Sequence, residues 1–115
     1  GATERASGVS LCRAGEALLY CRRPVRRFLD VGAGPGLMLQ ELHRLLDPAA
    51  EIFHGVEKYP PPYAVVCPNF HIGGLDVLEG RFDAGVCIEV VEHLTPKMFE
   101  ILVRDLAAVS VPGSL

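Results

Sequence analysis

The sequence lacks several features that would assign it to a specialised class of protein. No segment approaches the roughly 18 uninterrupted apolar residues of a membrane span, and the first residues lack the basic-then-apolar pattern of a secretory signal. The net charge of −3 at pH 7 gives no overall basic field, which disfavours nucleic acid as a partner. A length of 115 residues is usual for one domain, and half of the residues are hydrophobic, which is enough for a core. We therefore expect a single domain over residues 1–115, without membrane contact.

The cysteines also lack a pattern that would indicate a metal site or a disulfide framework. Cys12, Cys21, Cys67 and Cys87 form no C-x-x-C pair and have no zinc-like spacing. Cys87 falls in an apolar run, where a reduced thiol behaves as a small hydrophobic side chain. This cysteine usage favours the reducing cytoplasm.

One local cluster of residues is basic, although the net charge of the chain is negative. Arg22, Arg23, Arg26 and Arg27 lie close together around Pro24. We favour a solvated turn that leads into a strand over a contact with an anion or RNA.

Hydrophobic periodicity predicts helices alternating with strands, which is typical of a three-layer α/β sandwich. A hydroxyl cap at Thr95 followed by a proline favours a helix start there. Three consecutive prolines from Pro60 favour an extended or turn-like connection between the second and third strands. The predicted helices are 9–22, 37–46 and the segment after Thr95, with an apolar face of Met98, Ile101, Leu102, Leu106 and Val109. The predicted strands are 27–31, 52–56, 69–72 and a run from Phe82 to Val91, the last one covered on both faces.

A glycine-rich segment, Gly32-Ala33-Gly34-Pro35-Gly36, lies where the first strand passes into a helix. Glycines let the backbone turn sharply and approach a ligand closely, and the following helix start offers unpaired N–H groups. A dinucleotide fingerprint needs glycine at the position of Leu37, and no Lys-Ser/Thr pair follows for a phosphate-binding P-loop. The alternatives at this point are a ligand loop of another kind and a glycine turn without a ligand.

An acidic side chain, Glu57, closes the second predicted strand about 20 residues after the glycine segment. Such a residue is placed to hold two ribose hydroxyls. A glutamate at a strand end is by itself most often a solvated charge, but the preceding strand–glycine–helix unit favours ribose.

Four segments together resemble the class I S-adenosylmethionine-dependent methyltransferases. Residues 28–36 resemble the first motif of that family and residues 55–57 its second. Residues 82–94 resemble its strand-four motif, and residues 111–115 resemble the turn that leads into its fifth strand. The E-x-x-E-H element at Glu89, Glu92 and His93 is similar to that of quinone-biosynthesis and small-RNA O-methyltransferases.

The resemblance implies a cofactor, S-adenosylmethionine, and a position for each of its parts. Gly32 and Gly34 would lie against its methionine portion, within a loop that Ala33 and Gly36 complete. Asp30 would organise the loop and the cofactor's ammonium group, and Glu57 would hold the ribose. Leu75 would lie near the adenine, where Gly74 replaces the acid of many relatives, and Ile88 would line the methionine or adenosine part.

The resemblance also raises the question of a metal ion. Glu89, Glu92 and His93 could hold a divalent cation that orients substrate hydroxyls. The interpretation we favour is a metal-free pocket that these residues shape, with His93 as candidate general base. His43, His54 and His71 are predicted to be structural.

The resemblance covers only the N-terminal half of a methyltransferase domain, truncated before strands five to seven. It implies a Rossmann-like, mostly parallel sheet with strand order 3-2-1-4. The fourth strand would then be an exposed edge through which the chain could associate with itself. We expect methyl transfer to an oxygen of a small molecule. The alternatives are a metal-assisted RNA 2′-O-methyltransferase and a non-catalytic interaction or regulatory module.

Overall fold

A computed structural model describes residues 24–87 and 93–112. The strands are β1 Phe28–Val31, β2 Phe53–Glu57, β3 Phe70–Ile72 and β4 Ala84–Val86. The helices are α1 Leu37–Leu46 and α2 Pro96–Val109, and a 3₁₀ turn spans Leu75–Val77. The predicted helix at 9–22 lies outside the described residues.

The four strands form one sheet with the order β3-β2-β1-β4, and all three pairings are parallel. The register places Asp30 of β1 between Gly55 of β2 and Val86 of β4. The carboxyl ends of β1 and β2 therefore meet at the same edge of the sheet. The predicted Rossmann-like strand order is confirmed.

Two apolar clusters cover the two faces of this sheet. On one face Phe28 and Phe53 pack against α1, through Met38, Leu39 and Leu42. On the other face Leu29, Val31, Val56 and Phe82 are joined by the partly buried Leu102, Leu106 and Val109 of α2. Alternating residues of a strand face opposite sides, so each strand contributes to both clusters. The predicted three layers are present.

The connection between β2 and β3 contains no helix, as its proline run predicts. Val65 N–H donates to Pro35 O at 2.8 Å, which ties the connection to the glycine segment. Near its end, Pro68 O lies 2.9 Å from His43 Nε2 of α1. An extended chain thus stands where a wound α/β unit carries a crossover helix.

Three strands begin one residue later than predicted, because a side-chain carboxylate or a left-handed residue interrupts the strand pairing at the start. The N–H groups of Arg27 and Ile52 donate to carboxylates, at 3.1 Å to Asp83 and at 2.9 Å to Asp47. Asn69 has a left-handed backbone with φ 59°. Residues 27, 52 and 69 therefore precede their strands, and Glu57 is the last residue of β2.

The fourth strand is shorter and less covered than predicted. Its described part is Ala84–Val86, and residues 88–91 of the predicted run lie outside the described residues. Gly85 is exposed, so the expectation of cover on both faces was wrong there. The physical reason is a groove of about 180 Å³ beside Gly85, which Leu106 and Val109 of α2 line without filling.

Helix α2 begins where predicted: Thr95 Oγ1 accepts from Met98 N–H at 3.2 Å, and Pro96 occupies the first turn. Only part of its predicted apolar face packs. Met98 and Ile101 remain 48% and 42% exposed. Met98 lies in the first turn, beyond the cluster around Phe82, and Ile101 is rotated about 100° from Leu102.

The chain that follows α2 meets the β4 edge of the sheet at one point, Phe82, two residues before β4. Phe82 N–H donates to Val109 O at 2.7 Å, and Val111 N–H donates to Phe82 O at 2.8 Å. Self-association through the remainder of this edge stays a prediction. Neither helix within 24–87 and 93–112 has the length and apolar character needed to cross a membrane.

Candidate functional site

The glycine segment forms a tight bend fixed by backbone hydrogen bonds. Gly32, Gly34 and Gly36 have φ values of 75°, 58° and 84°, a left-handed region that disfavours other residues. The N–H groups of Gly32 and Ala33 both donate to Val56 O of β2, at 2.9 and 3.0 Å. The bend is thereby held over the carboxyl ends of β1 and β2, as predicted.

The last glycine of the segment serves packing and the helix start. Gly36 is the N-cap residue of α1, and its carbonyl accepts from Gln40 N–H at 3.0 Å. A Cβ at Gly36 would lie 3.2 Å from Val65 and 3.3 Å from Phe70. The surroundings of Gly36 are therefore protein side chains.

Gly34 faces open space, in contrast to Gly36. A Cβ built on Gly34 meets no heavy atom within 4 Å. The bend is therefore not filled by side chains of the described chain, and a ligand can approach the backbone closely at this point.

Asp30 lies at the carboxyl end of β1, directly before the bend. Its side chain points to the same sheet face as Phe28, and only 4% of the residue is exposed. Burial, reinforced by the nearby Glu57, raises the pKa of Asp30 to about 7. This buried carboxyl therefore holds a proton that an exposed aspartate would have lost.

Glu57 ends β2 on that same face, two residues beyond Gly55, the residue paired with Asp30. Burial raises the pKa of Glu57, while N–H groups of Lys58 and Gly34 act in the opposite direction by stabilising the carboxylate. The interaction with Gly34 places the Glu57 carboxylate at the glycine bend. The Glu57 carboxylate therefore borders the glycine bend, and the buried Asp30 lies close enough to Glu57 for the two charges to interact.

The residues proposed to lie near adenine follow β3. Leu75 begins the 3₁₀ turn and packs against the cluster that contains Leu29 and Val56. Gly73 N–H donates to Glu57 O at 3.0 Å, which connects this turn to the end of β2. A Cβ at Gly74 would lie 2.7 Å from Asp76 Oδ1, so glycine lets the Asp76 side chain fold back here.

The candidate residues after β4 are described only in part. Ile88, Glu89 and Glu92 lie outside the described residues, and His93 is exposed just before α2. Among the described residues, no group of three or more His, Cys, Asp or Glu side chains could hold a metal. The metal-assisted alternative and the role of His93 stay predictions.

The other histidines lie in a helix and in two strands, and their structural role stays a prediction. His43 of α1 lies 3.4 Å from Asp47. His54 Nδ1 lies 3.2 Å from His71 Nε2, and the two rings are stacked at 5°. Arg27 stacks on Phe82 with its Cζ 4.3 Å from the ring centre, which joins one of the clustered arginines to the core.

Two residues that position the site had not been identified as site residues from the sequence. Gly55 would, with a Cβ, lie 3.0 Å from Ala33 Cβ and 3.2 Å from Leu39, so its small size lets the bend settle on β2. Asp47 accepts from the N–H groups of Glu51, Ile52 and Phe53 at 2.9–3.0 Å and so fixes the entry to β2. A glycine inside a strand is a signal of close backbone approach. From the sequence, the Asp47-Pro48 pair predicted only the end of α1.

The sequence matches no protein-family model and no curated protein. Among solved structures, its fold is similar to that of SAM-bound CalS10, an amino pentose methyltransferase from Micromonospora echinaspora involved in calicheamicin biosynthesis. The TM-score is 0.60 at 21% identity, over 96% of this chain and 47% of CalS10. The chain has a class I methyltransferase-like fold. It spans about half the length of CalS10.

Proposed function

We propose that this chain binds S-adenosylmethionine at the glycine bend and serves methyl transfer to an oxygen of a small molecule. The observation that carries the proposal is the open space at Gly34, whose N–H group interacts with the Glu57 carboxylate, with the buried Asp30 near Glu57. It lies at the carboxyl edge of the parallel strands, where open α/β sheets bind ligands. CalS10, which shares the fold, is described with this cofactor bound.

Charge distinguishes this ligand from the phosphates that glycine loops also bind. Asp30 and Glu57 are both acidic, and no lysine or arginine of the described residues forms an ion pair with either. A pyrophosphate would therefore meet the like charge of Glu57, and of Asp30 once it is ionised, whereas a sulfonium and an ammonium group meet opposite charge. The spacing at Leu37 also departs from the dinucleotide fingerprint.

Different residues contact different parts of the cofactor. Gly32, Ala33 and Gly34, with Gly36 behind them, face its methionine portion, and Asp30 faces its ammonium group. Glu57 accepts from the ribose hydroxyls, because a carboxylate can accept two hydrogen bonds at once. Leu75 and Ile88 contribute apolar contacts.

Little further chemistry is required of the chain. S-adenosylmethionine supplies a methyl group that is already strongly electrophilic, so holding the acceptor in line provides most of the rate. Where the acceptor is a hydroxyl group, His93 takes up its proton. Since the chain spans about half the length of CalS10, acceptor binding by this chain alone belongs to the proposal as well.

Calorimetry with S-adenosylmethionine, S-adenosylhomocysteine and NAD tests the proposal. We expect the first two ligands to bind and NAD to fail. Glu57→Ala should weaken S-adenosylmethionine binding by about 1–3 kcal/mol, the worth of a charged hydrogen-bond pair.

Glu79→Ala is the matched control for this substitution. Glu79 is an exposed glutamate that precedes β4, so it lies toward the opposite edge of the sheet. The affinity of the Glu79→Ala variant for S-adenosylmethionine should equal that of the parent chain. Binding of NAD in preference to S-adenosylmethionine, or equal losses in both variants, would overturn the assignment.

A further inference from the structure

Asp30 is a buried acid without a partner for its charge. Its side chain lies between the positions of Gly55, which has no side chain, and Val86, which is apolar. No hydrogen bond or ion pair to its carboxyl group comes from the residues at 24–87 and 93–112. Ionising an isolated buried carboxyl costs free energy that solvation would otherwise supply.

Among residues 24–87 and 93–112, two other titratable groups interact with Asp30, and neither offers a positive charge. Glu57, on β2, adds like charge that raises the pKa of Asp30 to about 7 together with burial. Cys87, directly after β4, is half-buried, and its own pKa is raised by burial and by the Asp30 carboxylate. The glycine bend and α1 present no titratable group to Asp30.

We propose that Asp30 releases its proton when the positively charged cofactor enters the bend, so that cofactor binding and proton release are coupled. The inference rests on the proposed function and assigns to Asp30 a further role. Because Asp30 faces the ammonium group, which S-adenosylhomocysteine also carries, the ionised carboxyl favours both ligands, and rising pH strengthens the binding of both.

Protons and charge balance in this binding step. Asp30 is protonated in the free protein at slightly acid pH and ionised in the complex, and the proton passes to the buffer. The positive charge of the ligand replaces the proton as the counter-charge of the buried carboxylate. No bond of the cofactor changes in this binding step.

Calorimetry in two buffers of different ionisation enthalpy, phosphate and imidazole, counts the protons released. Titrations with S-adenosylmethionine at pH 6.0 and 7.0 remain below the usual α-amino pKa of about 7.7–8.0. Linkage predicts release of about 0.9 proton at pH 6.0 and about 0.5 at pH 7.0, with about fivefold tighter binding at the higher pH. S-adenosylhomocysteine, which keeps the ammonium group, should release a similar number of protons.

Asp30→Asn is the decisive variant, since asparagine mimics the shape of the neutral acid and cannot ionise. Its affinity for S-adenosylmethionine should be weaker and constant from pH 6.0 to 7.0, with enthalpies equal in both buffers. Glu57→Gln provides a second measure that leaves Asp30 in place. Removing the neighbouring charge lowers the pKa of Asp30, so proton release at pH 7.0 should fall. Glu79→Gln should reproduce the parent proton count.

The failure of this inference differs from the failure of the proposed function. Binding of S-adenosylmethionine without proton release overturns the role of Asp30 alone. Proton release that persists in Asp30→Asn assigns the proton to another group and overturns it as well. A folded chain that does not bind S-adenosylmethionine overturns both.

Discussion

Gly55 of β2 lies directly against Ala33 of the glycine bend, so that a Cβ on Gly55 would be 3.0 Å from Ala33 Cβ. Real Cβ atoms rarely approach so closely, and the bend must therefore move if any side chain is added. The hydrogen bond from Ala33 N–H to Val56 O, at 3.0 Å, holds the bend at this position. The ligand-binding geometry at Gly34 consequently depends on a residue in the neighbouring strand.

Gly55→Ala should destabilise the fold by about 1–3 kcal/mol through overpacking and weaken S-adenosylmethionine binding. Ala33→Gly removes the opposing methyl group, so the double variant should recover part of both losses. A double-mutant cycle, with urea unfolding and calorimetry on the four proteins, measures this coupling. Strictly additive effects would show that the contact with Ala33 is not the cause.

Gly34 and Gly36 should respond differently to the same substitution, although both have positive φ. Gly34→Val places a side chain in open space, so we expect loss of cofactor binding in a folded protein. The left-handed backbone adds a stability cost of about 1–2 kcal/mol. Gly36→Val would press on Val65 and Phe70 and should lower the melting temperature much further. Thermal unfolding and calorimetry on both variants separate the two effects; cofactor binding by Gly34→Val at the parent affinity would contradict the site.

Asp30 and His54 should contribute opposite pH dependences to stability. The pKa of Asp30 is raised to about 7, so its contribution is complete below the usual aspartate pKa and is lost as pH rises toward 7. Burial, with the positive charge of Arg27, lowers the pKa of His54 to about 4. Its contribution is complete above the usual histidine pKa and is lost as pH falls toward 4.

Because the two slopes are opposed between about pH 4 and 6.5, single variants should reveal each of them. Asp30→Asn should make stability increase more steeply with pH, by up to about 1.4 kcal/mol per pH unit. His54→Gln should make it increase less steeply or decrease. Urea unfolding at pH 4.5, 5.5 and 6.5 measures both slopes. Identical slopes in the parent and Asp30→Asn would show that Asp30 ionises normally in the folded chain.

Asp47 should matter more for stability than its place at a helix end indicates. Burial tends to raise the pKa of Asp47, but hydrogen bonds from the N–H groups of Phe53, Glu51 and Ile52 hold it below its usual value. Asp47→Ala leaves these donors without their acceptor and should cost about 2–4 kcal/mol.

Glu41→Ala, in the same helix, is the matched control for Asp47→Ala. Glu41 accepts from Arg44 Nη2 at 2.7 Å, yet Arg44 is 65% exposed at its side chain. An exposed pair contributes less than about 1 kcal/mol. Urea unfolding of both variants compares them, and equal losses would contradict the role of Asp47.

Much of the fold could be predicted from short sequence segments, because apolar periodicity, helix caps and proline runs act over only a few residues. Apolar periodicity placed α1, the Thr95-Pro96 pair placed the start of α2, and the proline run excluded a helix before β3. The glycine bend and Glu57 followed from their spacing. The parallel order of the strands came from the resemblance to a known family, and the structure confirmed it.

Tertiary structure alone decided which residues the site depends on and how Asp30 is charged. Asp83 accepts hydrogen bonds from the N–H groups of Arg26 and Arg27, which lie 57 and 56 residues away in the sequence. Gly55 of the neighbouring strand packs against Ala33. Contacts over such separations leave no periodic trace in the sequence. The sequence by itself determined that an acid precedes a glycine bend. Packing between Gly55 and Val86 decided that this acid has no counter-charge in the part of the chain that the structure describes, because charge pairing depends on spatial neighbours.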